Sequence, residues 1–130
     1  MEAARLKSIP LFAQLSQREL EQIAQWADEV EVPAGKHLVD QGQFAYEFFV
    51  IEEGTARVSR DGAEVADLGP GDFFGEIALL STERRTASVL ATSPMRLIVM
   101  FSRDFRRMTA DLPKVGEQIR RAIEERMSGS

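Results

Sequence analysis

Between Glu29 and Phe101 the chain is a succession of short β-forming segments cut apart by glycine. The segments read EVEV, KHLVD, EFFVIEE, TARVSR, AEVADLG, ASVLAT and MRLIVMF. Seven of the nine glycines (35, 42, 54, 62, 69, 71 and 75) fall in the first two-thirds of this region, where they mark reversals of the chain. Glycine accepts positive φ without a Cβ clash, so a chain written this way turns often. Asp61 and Gly62 stand alone between two β-forming segments, the two-residue signature of a type I′ hairpin. Many short strands at regular spacing predict a mainly β fold, a sandwich or a barrel.

Helical periodicity brackets that region. Residues 15–28 predict a helix entered through a capping box, in which Ser16 and Glu19 each satisfy an amide at the other's position. Leu15 and Leu20 are spaced for a hydrophobic staple, and Leu20, Ile23, Ala24 and Ala27 form its buried face. After the strands, Ser102 is expected to cap a helix running to about Ala110. Pro113 interrupts it, and Val115, Ile119, Ala122 and Ile123 form the apolar stripe of a last helix. The expected organisation is one domain over 1–130: an N-terminal helical segment 1–28, a barrel 29–101, and hinge and lid helices 102–127.

Composition closes off several classes of function. With no cysteine, the chain has no disulfide framework, thiolate metal site or cysteine nucleophile. Its one histidine, His37, falls in a predicted strand and is read as structural; alone it cannot build a metal-dependent active site, so no metal, no cofactor and no catalytic residue are expected. Ser81, Ser88 and Ser93 have no second histidine or lysine pattern around them that would make a hydrolase site. The longest apolar run, residues 97–101, is far below the roughly 18 residues of a membrane span, and the N-terminus lacks a signal-peptide pattern. No membrane contact and a cytoplasmic location are the expectations. The net charge of −5 divides into −9 over residues 1–80 (6 Lys/Arg, 15 Asp/Glu) and +4 over 81–130 (10 against 6). This balance argues against a nucleic-acid surface across the domain and leaves room for a local anion pocket.

The stretch FGEIALLSTERRTASV, residues 73–88, is the candidate for that pocket. Gly75 admits close approach of the backbone, and residues 76–80 allow about one helical turn, whose first amides and positive end suit an anion. Arg85 offers a planar fork of donors suited to a phosphate. Glu76 cannot bind a phosphate, but it can accept from a sugar hydroxyl beside one. Together these groups ask for a ribose phosphate, with apolar strands to receive a base. A structural ion pair between Glu76 and Arg85 is the plainer alternative.

This stretch resembles the phosphate-binding cassette of cyclic-nucleotide-binding domains. The family includes the catabolite activator protein, the regulatory subunit of cAMP-dependent protein kinase, and cyclic-nucleotide-gated and hyperpolarisation-activated channels. PAGKHLVDQG (33–42), FFVIEEGTARV (48–58) and LGPGDFFGE (68–76) add to the match, as do the nine positions separating Glu76 from Arg85. Where many members have proline before the arginine, this chain has Arg84, read as a solvated neighbour, and RRTASV looks closest to the channel branch. The resemblance implies an eight-stranded jelly-roll barrel with an N-terminal helix, a short phosphate-binding helix and two C-terminal helices. It also implies a ligand site at Gly75, Glu76, Ile77, Ala78, Arg85, Thr86 and Ala87. Glu76 would take the ribose 2′-hydroxyl; Arg85, amides near Ala78 and Thr86, and the Thr86 hydroxyl would take the cyclic phosphate. The last helix would close as a lid, with Ala122, Ile123, Glu125 and Arg126 as candidates beside the base. Leu79 and Phe105, otherwise core like Trp26 and Tyr46, would couple cassette to hinge.

The resemblance thus implies a cyclic-nucleotide sensor and no enzyme. Thr86 and Glu125 offer acceptors for guanine, but threonine also occurs in cAMP-preferring channels, so cAMP is the first expectation and cGMP stays open. The resemblance implies as partner, besides the nucleotide, a fused or separate effector protein, and no direct nucleic-acid binding by this domain is expected. Two other readings stand beside it: a jelly-roll enzyme, and an interaction module with an empty pocket.

Overall fold

The computed structural model of the chain describes residues 1–75 and 84–128, apart from the side chains at 123 and 126–128. In chain order it has helix α1 (Ala3–Leu6), a 3-10 turn (Pro10–Phe12) and helix α2 (Gln17–Trp26). Strands follow: β1 (Ala27–Val32), β2 (His37–Val39), β3 (Glu47–Glu53), β4 (Ala56–Arg60) and β5 (Ala63–Leu68). β6 (Phe73–Phe74), β7 (Ser88–Ala91), β8 (Met95–Phe101), α3 (Ser102–Asp111) and α4 (Pro113–Ser128) complete the elements among the described residues. The eight strands form two antiparallel four-stranded sheets, ordered β1-β8-β3-β6 and β2-β7-β4-β5. This is the mainly β jelly roll with flanking helices that the sequence predicts.

The two longest apolar strands occupy the middle of the molecule, and the reason lies in their composition. In β3, Phe48, Phe49, Val50 and Ile51 are all buried, so this strand is covered on both faces. Phe49 and Ile51 pack between the sheets with Leu97, Val99 and Phe74. Phe48 and Val50 face the other way, against Leu6, Phe12, Leu20, Ile23, Phe105 and Ile119. The β1-β8-β3-β6 sheet is therefore a shared wall, with the second sheet on one side and the helices on the other. β5, which packs at the edge of the second sheet, is exposed along nearly its whole length.

Local signals act where they were read. Ser16 accepts from the Glu19 amide at 3.2 Å while the Glu19 carboxylate accepts from the Ser16 amide at 2.9 Å, closing the capping box. Ser16→Ala should cost about 1 kcal/mol of stability, and a thermal melt should record a drop of roughly 4 °C. Asp61 (φ 54°) and Gly62 (φ 83°) both take positive φ in the β4–β5 turn, as a type I′ hairpin requires.

Three expectations are corrected. Helix α2 stops at Trp26, and Ala27, read as part of the helical face, opens β1 opposite Met100. Sheet pairing supplies Ala27 with hydrogen-bond partners and buries its methyl group, so the helix gains nothing by continuing. Ser102 does not cap α3: the helix begins at Ser102 with Phe101 in the cap position and no side-chain bond. The Ser102 amide instead donates to the Tyr46 carbonyl at 2.8 Å, which the sheet supplies and a sequence reading cannot. Tyr46 is not a packing residue. It lies just before β3 and is 63% exposed, whereas Trp26 does pack on the helical cluster.

Candidate ligand-binding site

The residues that bracket the cassette converge on the start of β3. Arg85 is the one buried polar or charged residue among those described, 6% exposed. Its guanidinium donates through Nη1 to the Gly75 carbonyl at 3.0 Å and through Nη2 to the Glu47 carbonyl at 2.7 Å. The Phe49 ring lies 5.9 Å from the guanidinium carbon. A buried cation is costly unless its donors are satisfied, and the Gly75 and Glu47 carbonyls are among the groups that do so here.

The backbone of Arg85 is also held. Its amide donates to the Gln43 carbonyl at 2.8 Å, and its carbonyl accepts from the Gly42 amide at 2.9 Å. Arg84, just before it, bridges to Phe44 and donates Nη1 to the Gly42 carbonyl at 2.9 Å, with its guanidinium 4.3 Å from the centre of the Phe44 ring. Thr86 and Ala87 are half-buried, and Arg60 donates Nε to the Thr86 carbonyl at 3.3 Å. Gln41 fastens the same corner: its amide donates to Ser88 Oγ, and its side chain exchanges two bonds with Asp61 at 2.8 and 2.9 Å. The segment from Arg84 to Ser88 is thus tied to the β2–β3 loop and the β4–β5 turn.

Gly75 has a defined reason to be glycine. It sits at φ +93°, and a Cβ there would stand 2.7 Å from Arg85 Nη1 and 3.0 Å from the Glu47 carbonyl oxygen. The group that approaches Gly75 closely is the chain's own arginine. Gly75 and Arg85 are therefore brought together. Glu76, Ile77, Ala78 and Leu79 lie outside the described residues.

In the last helix, Val115 and Ile119 are fully buried in the helical cluster. Lys114 Nζ donates to the Gln14 carbonyl at 3.4 Å and Gln118 Nε2 to the Leu11 carbonyl at 3.3 Å, so the first half of α4 is tied to the N-terminal segment. Ala122 is half-buried and Glu125 exposed; the side chains of Ile123 and Arg126 lie outside the described residues. Phe105 of α3 is fully buried, its ring 4.7 Å from that of Phe48, the residue after Glu47. His37 is exposed, its Nδ1 3.4 Å from an Asp40 carboxylate oxygen. Among the described residues there is no cluster of His, Cys, Asp or Glu suited to a metal, and no helix long and apolar enough to cross a membrane.

The two carbonyls that hold Arg85 were not found from the sequence. A main-chain acceptor has no side-chain signature, and only strand register puts Glu47 beside Gly75: β3 pairs with β6 through Phe49 and Phe74.

Comparison with known proteins is consistent with this geometry. Residues 29–111 match the family model described as cyclic nucleotide-binding domain. A cyclic nucleotide-gated potassium channel of Rhizobium etli is 34% identical over 122 residues, covering 94% of this chain and 34% of the channel. The Thermus thermophilus catabolite activator protein superposes with a TM-score of 0.79 at 29% identity, over 91% of this chain and 58% of that one. The regulatory domain of Toxoplasma gondii PKA, in co-crystal with cAMP, superposes at 0.81 with 26% identity, over 94% of this chain and 48% of that one. The chain spans about a third of the length of the channel relative.

Proposed function

The chain belongs to the cyclic nucleotide-binding domain family, and from that premise we propose that it is a sensor in which Arg85 binds the cyclic phosphate of cAMP and the C-terminal helices report the event. The observation that carries this reading is Arg85 itself: a buried guanidinium fork held against Gly75, at the edge of the cassette, by the Gly75 and Glu47 carbonyls. A phosphate presented there would pair with that planar fork, in a site where low dielectric strengthens the pairing. Gly75 and the amides of Ile77 and Ala78 would line the phosphate, with Glu76 on the ribose 2′-hydroxyl and Thr86 and Ala87 along the other side. cGMP is the second nucleotide the site would accept. The T. gondii structure with bound cAMP favours cAMP as the first to test.

A route from ligand to helices runs through Tyr46, Glu47 and Phe48, where the chain enters β3. The Glu47 carbonyl holds Arg85, and the ring of Phe48 beside it packs at a tilt against Phe105 of α3. The Tyr46 carbonyl receives the first amide of α3. A shift of Arg85 towards a phosphate would thus be felt at the hinge and passed to α4, bringing Ala122, Ile123, Glu125 and Arg126 towards the base. A ligand shifts such an equilibrium only by its differential contacts with the two states. The output would go to an effector, fused or separate.

Titration calorimetry on folded, ligand-free protein with cAMP, cGMP and 5′-AMP tests the proposal. Binding is expected for a cyclic nucleotide and discrimination against 5′-AMP, whose open phosphate carries an extra charge. No heat from either cyclic nucleotide at millimolar concentration would end it.

A further inference from the structure

Away from the cassette, four strand carboxylates and two arginines crowd the face of the central sheet beneath α1. Glu29 and Glu31 come from β1, Glu52 and Glu53 from the end of β3, Arg96 from β8 between those strands, and Arg5 from α1. Glu52 stands where the register of β3 on β8 shifts, between Ile51 opposite Leu97 and Glu53 opposite Arg96. Arg5 donates Nη1 to Glu29 Oε1 at 2.9 Å and Nη2 to Glu52 Oε2 at 3.4 Å, with Nη2 also 2.9 Å from Glu29 Oε2. Arg96 is engaged by the outer pair, Glu53 at 3.1 Å and Glu31 at 3.3 Å. The Glu52 side chain is only 11% exposed.

The inner pair is short of donors. Glu29 Oε2 and Glu52 Oε1 are buried without an aligned hydrogen-bond donor, and two cations face four acids. A single proton on the inner pair supplies a donor and lowers the net charge of the cluster from −2 to −1. We propose that Glu29 and Glu52 form a proton-operated latch for the N-terminal segment: with one shared proton the pair closes and Arg5 seats α1 on the sheet, and without it α1 loosens. A cleft of about 470 Å³, lined in part by Arg5, Ser8, Pro10, Glu52, Glu53 and Arg96, gives that proton a path to water.

The titration behaviour agrees with the geometry. Burial first, then the hydrogen bond and charge of Glu29, push the Glu52 carboxyl up to about 7. The hydrogen bond from Glu52, aided by Arg5, holds Glu29 below the ordinary carboxylate range. Burial raises the Glu52 carboxyl more than Arg5 lowers it, so the closed state binds more protons than an open state in which loosening of α1 relieves both. Helix α1 therefore loses stability as pH rises from Glu52's ordinary range up to its raised value, with no further loss above it. Glu29 acts in the opposite sense only at pH below the ordinary carboxylate value, outside that window.

What α1 holds makes the latch matter. Leu6 is fully buried in the helical cluster with Phe12, Phe105 and Ile119, so loosening α1 opens the layer that also receives α3 and α4.

The test is carried out on the whole chain without ligand. Carboxyl carbon NMR should find one glutamate titrating near neutral pH, assigned to Glu52 by its absence in Glu52→Gln. In Glu29→Gln the Glu52 midpoint should fall towards the ordinary range. Hydrogen exchange should show protection of the Arg5 and Ile9 amides, which donate to the Glu2 and Leu6 carbonyls, falling as pH rises. Corrected for the intrinsic exchange rate, the fall should be on the order of tenfold between about pH 6 and pH 8.5. Glu52→Gln, whose amide supplies the donor permanently, should flatten that dependence. An ordinary Glu52 midpoint in the parent chain overturns the latch even if neither variant folds. So does equal pH dependence of α1 protection in the parent and Glu52→Gln.

Discussion

Arg85→Ala should weaken cyclic-nucleotide binding by about 2–5 kcal/mol, the range for stripping one partner from a desolvated charge pair. The same change removes both guanidinium bonds to the Gly75 and Glu47 carbonyls. Leaving buried acceptors unsatisfied costs about 1–3 kcal/mol each, so the melting temperature should fall as well. Calorimetry at a temperature where the variant is fully folded separates the two effects. Arg85→Lys keeps the charge but loses the fork that spans two carbonyls, and it should recover part of the binding and little of the stability. Glu76→Ala serves as comparator: it removes only a ribose contact and should cost less. If the folded alanine variant binds within threefold of the parent, Arg85 is a brace for the β2–β3 loop and not a phosphate ligand.

Gly54→Ala should destabilise the fold by about 3–5 kcal/mol with no change in the affinity of the molecules that remain folded. Gly54 joins β3 to β4 at φ +93°, and a Cβ there would collide with the Pro94 carbonyl oxygen and lie 2.9 Å from Met95 Cα. Both obstacles are backbone, so neither can rotate aside. Around this contact two turns are clasped together: the Thr55 amide donates to Ser93 Oγ, the Thr92 amide to the Thr55 carbonyl, and the two threonine hydroxyls meet at 2.8 Å. To admit the methyl group the strands must part where β3 hands over to the second sheet. Chemical denaturation with calorimetry on the same preparation checks this. A loss under 1 kcal/mol would mean that the two turns separate easily.

The two predictions concern glycine and arginine for different reasons, and the sequence is informative about them to different degrees. Gly75 and Arg85 were legible as a pair because their spacing belongs to a recognisable cassette. Gly54 was legible only as a turn residue, since the Pro94 carbonyl that forbids a side chain there is 40 positions away. Arg60 on Thr86 and Gln41 on Asp61 and Ser88, which fasten the segment after Arg85, are likewise long-range and left no local mark.

By itself the sequence determined what short-range chemistry decides. Ser16 and Glu19 close a box over four residues, Asp61-Gly62 turns a hairpin over two, and the unbroken apolar runs of β3 and β8 require cover on both faces. Tertiary structure decided everything that depends on which strands become neighbours. It took Ala27 out of a helix and into a sheet, left Tyr46 in solvent, and gave Arg85 two carbonyl partners that no side chain announces. It also brought Glu29 and Glu52 together across an intervening strand. A backbone acceptor is the same atom in every residue, and two acids distant in sequence repel in any chain that has not yet folded. Only the paired sheet makes either one a specific partner.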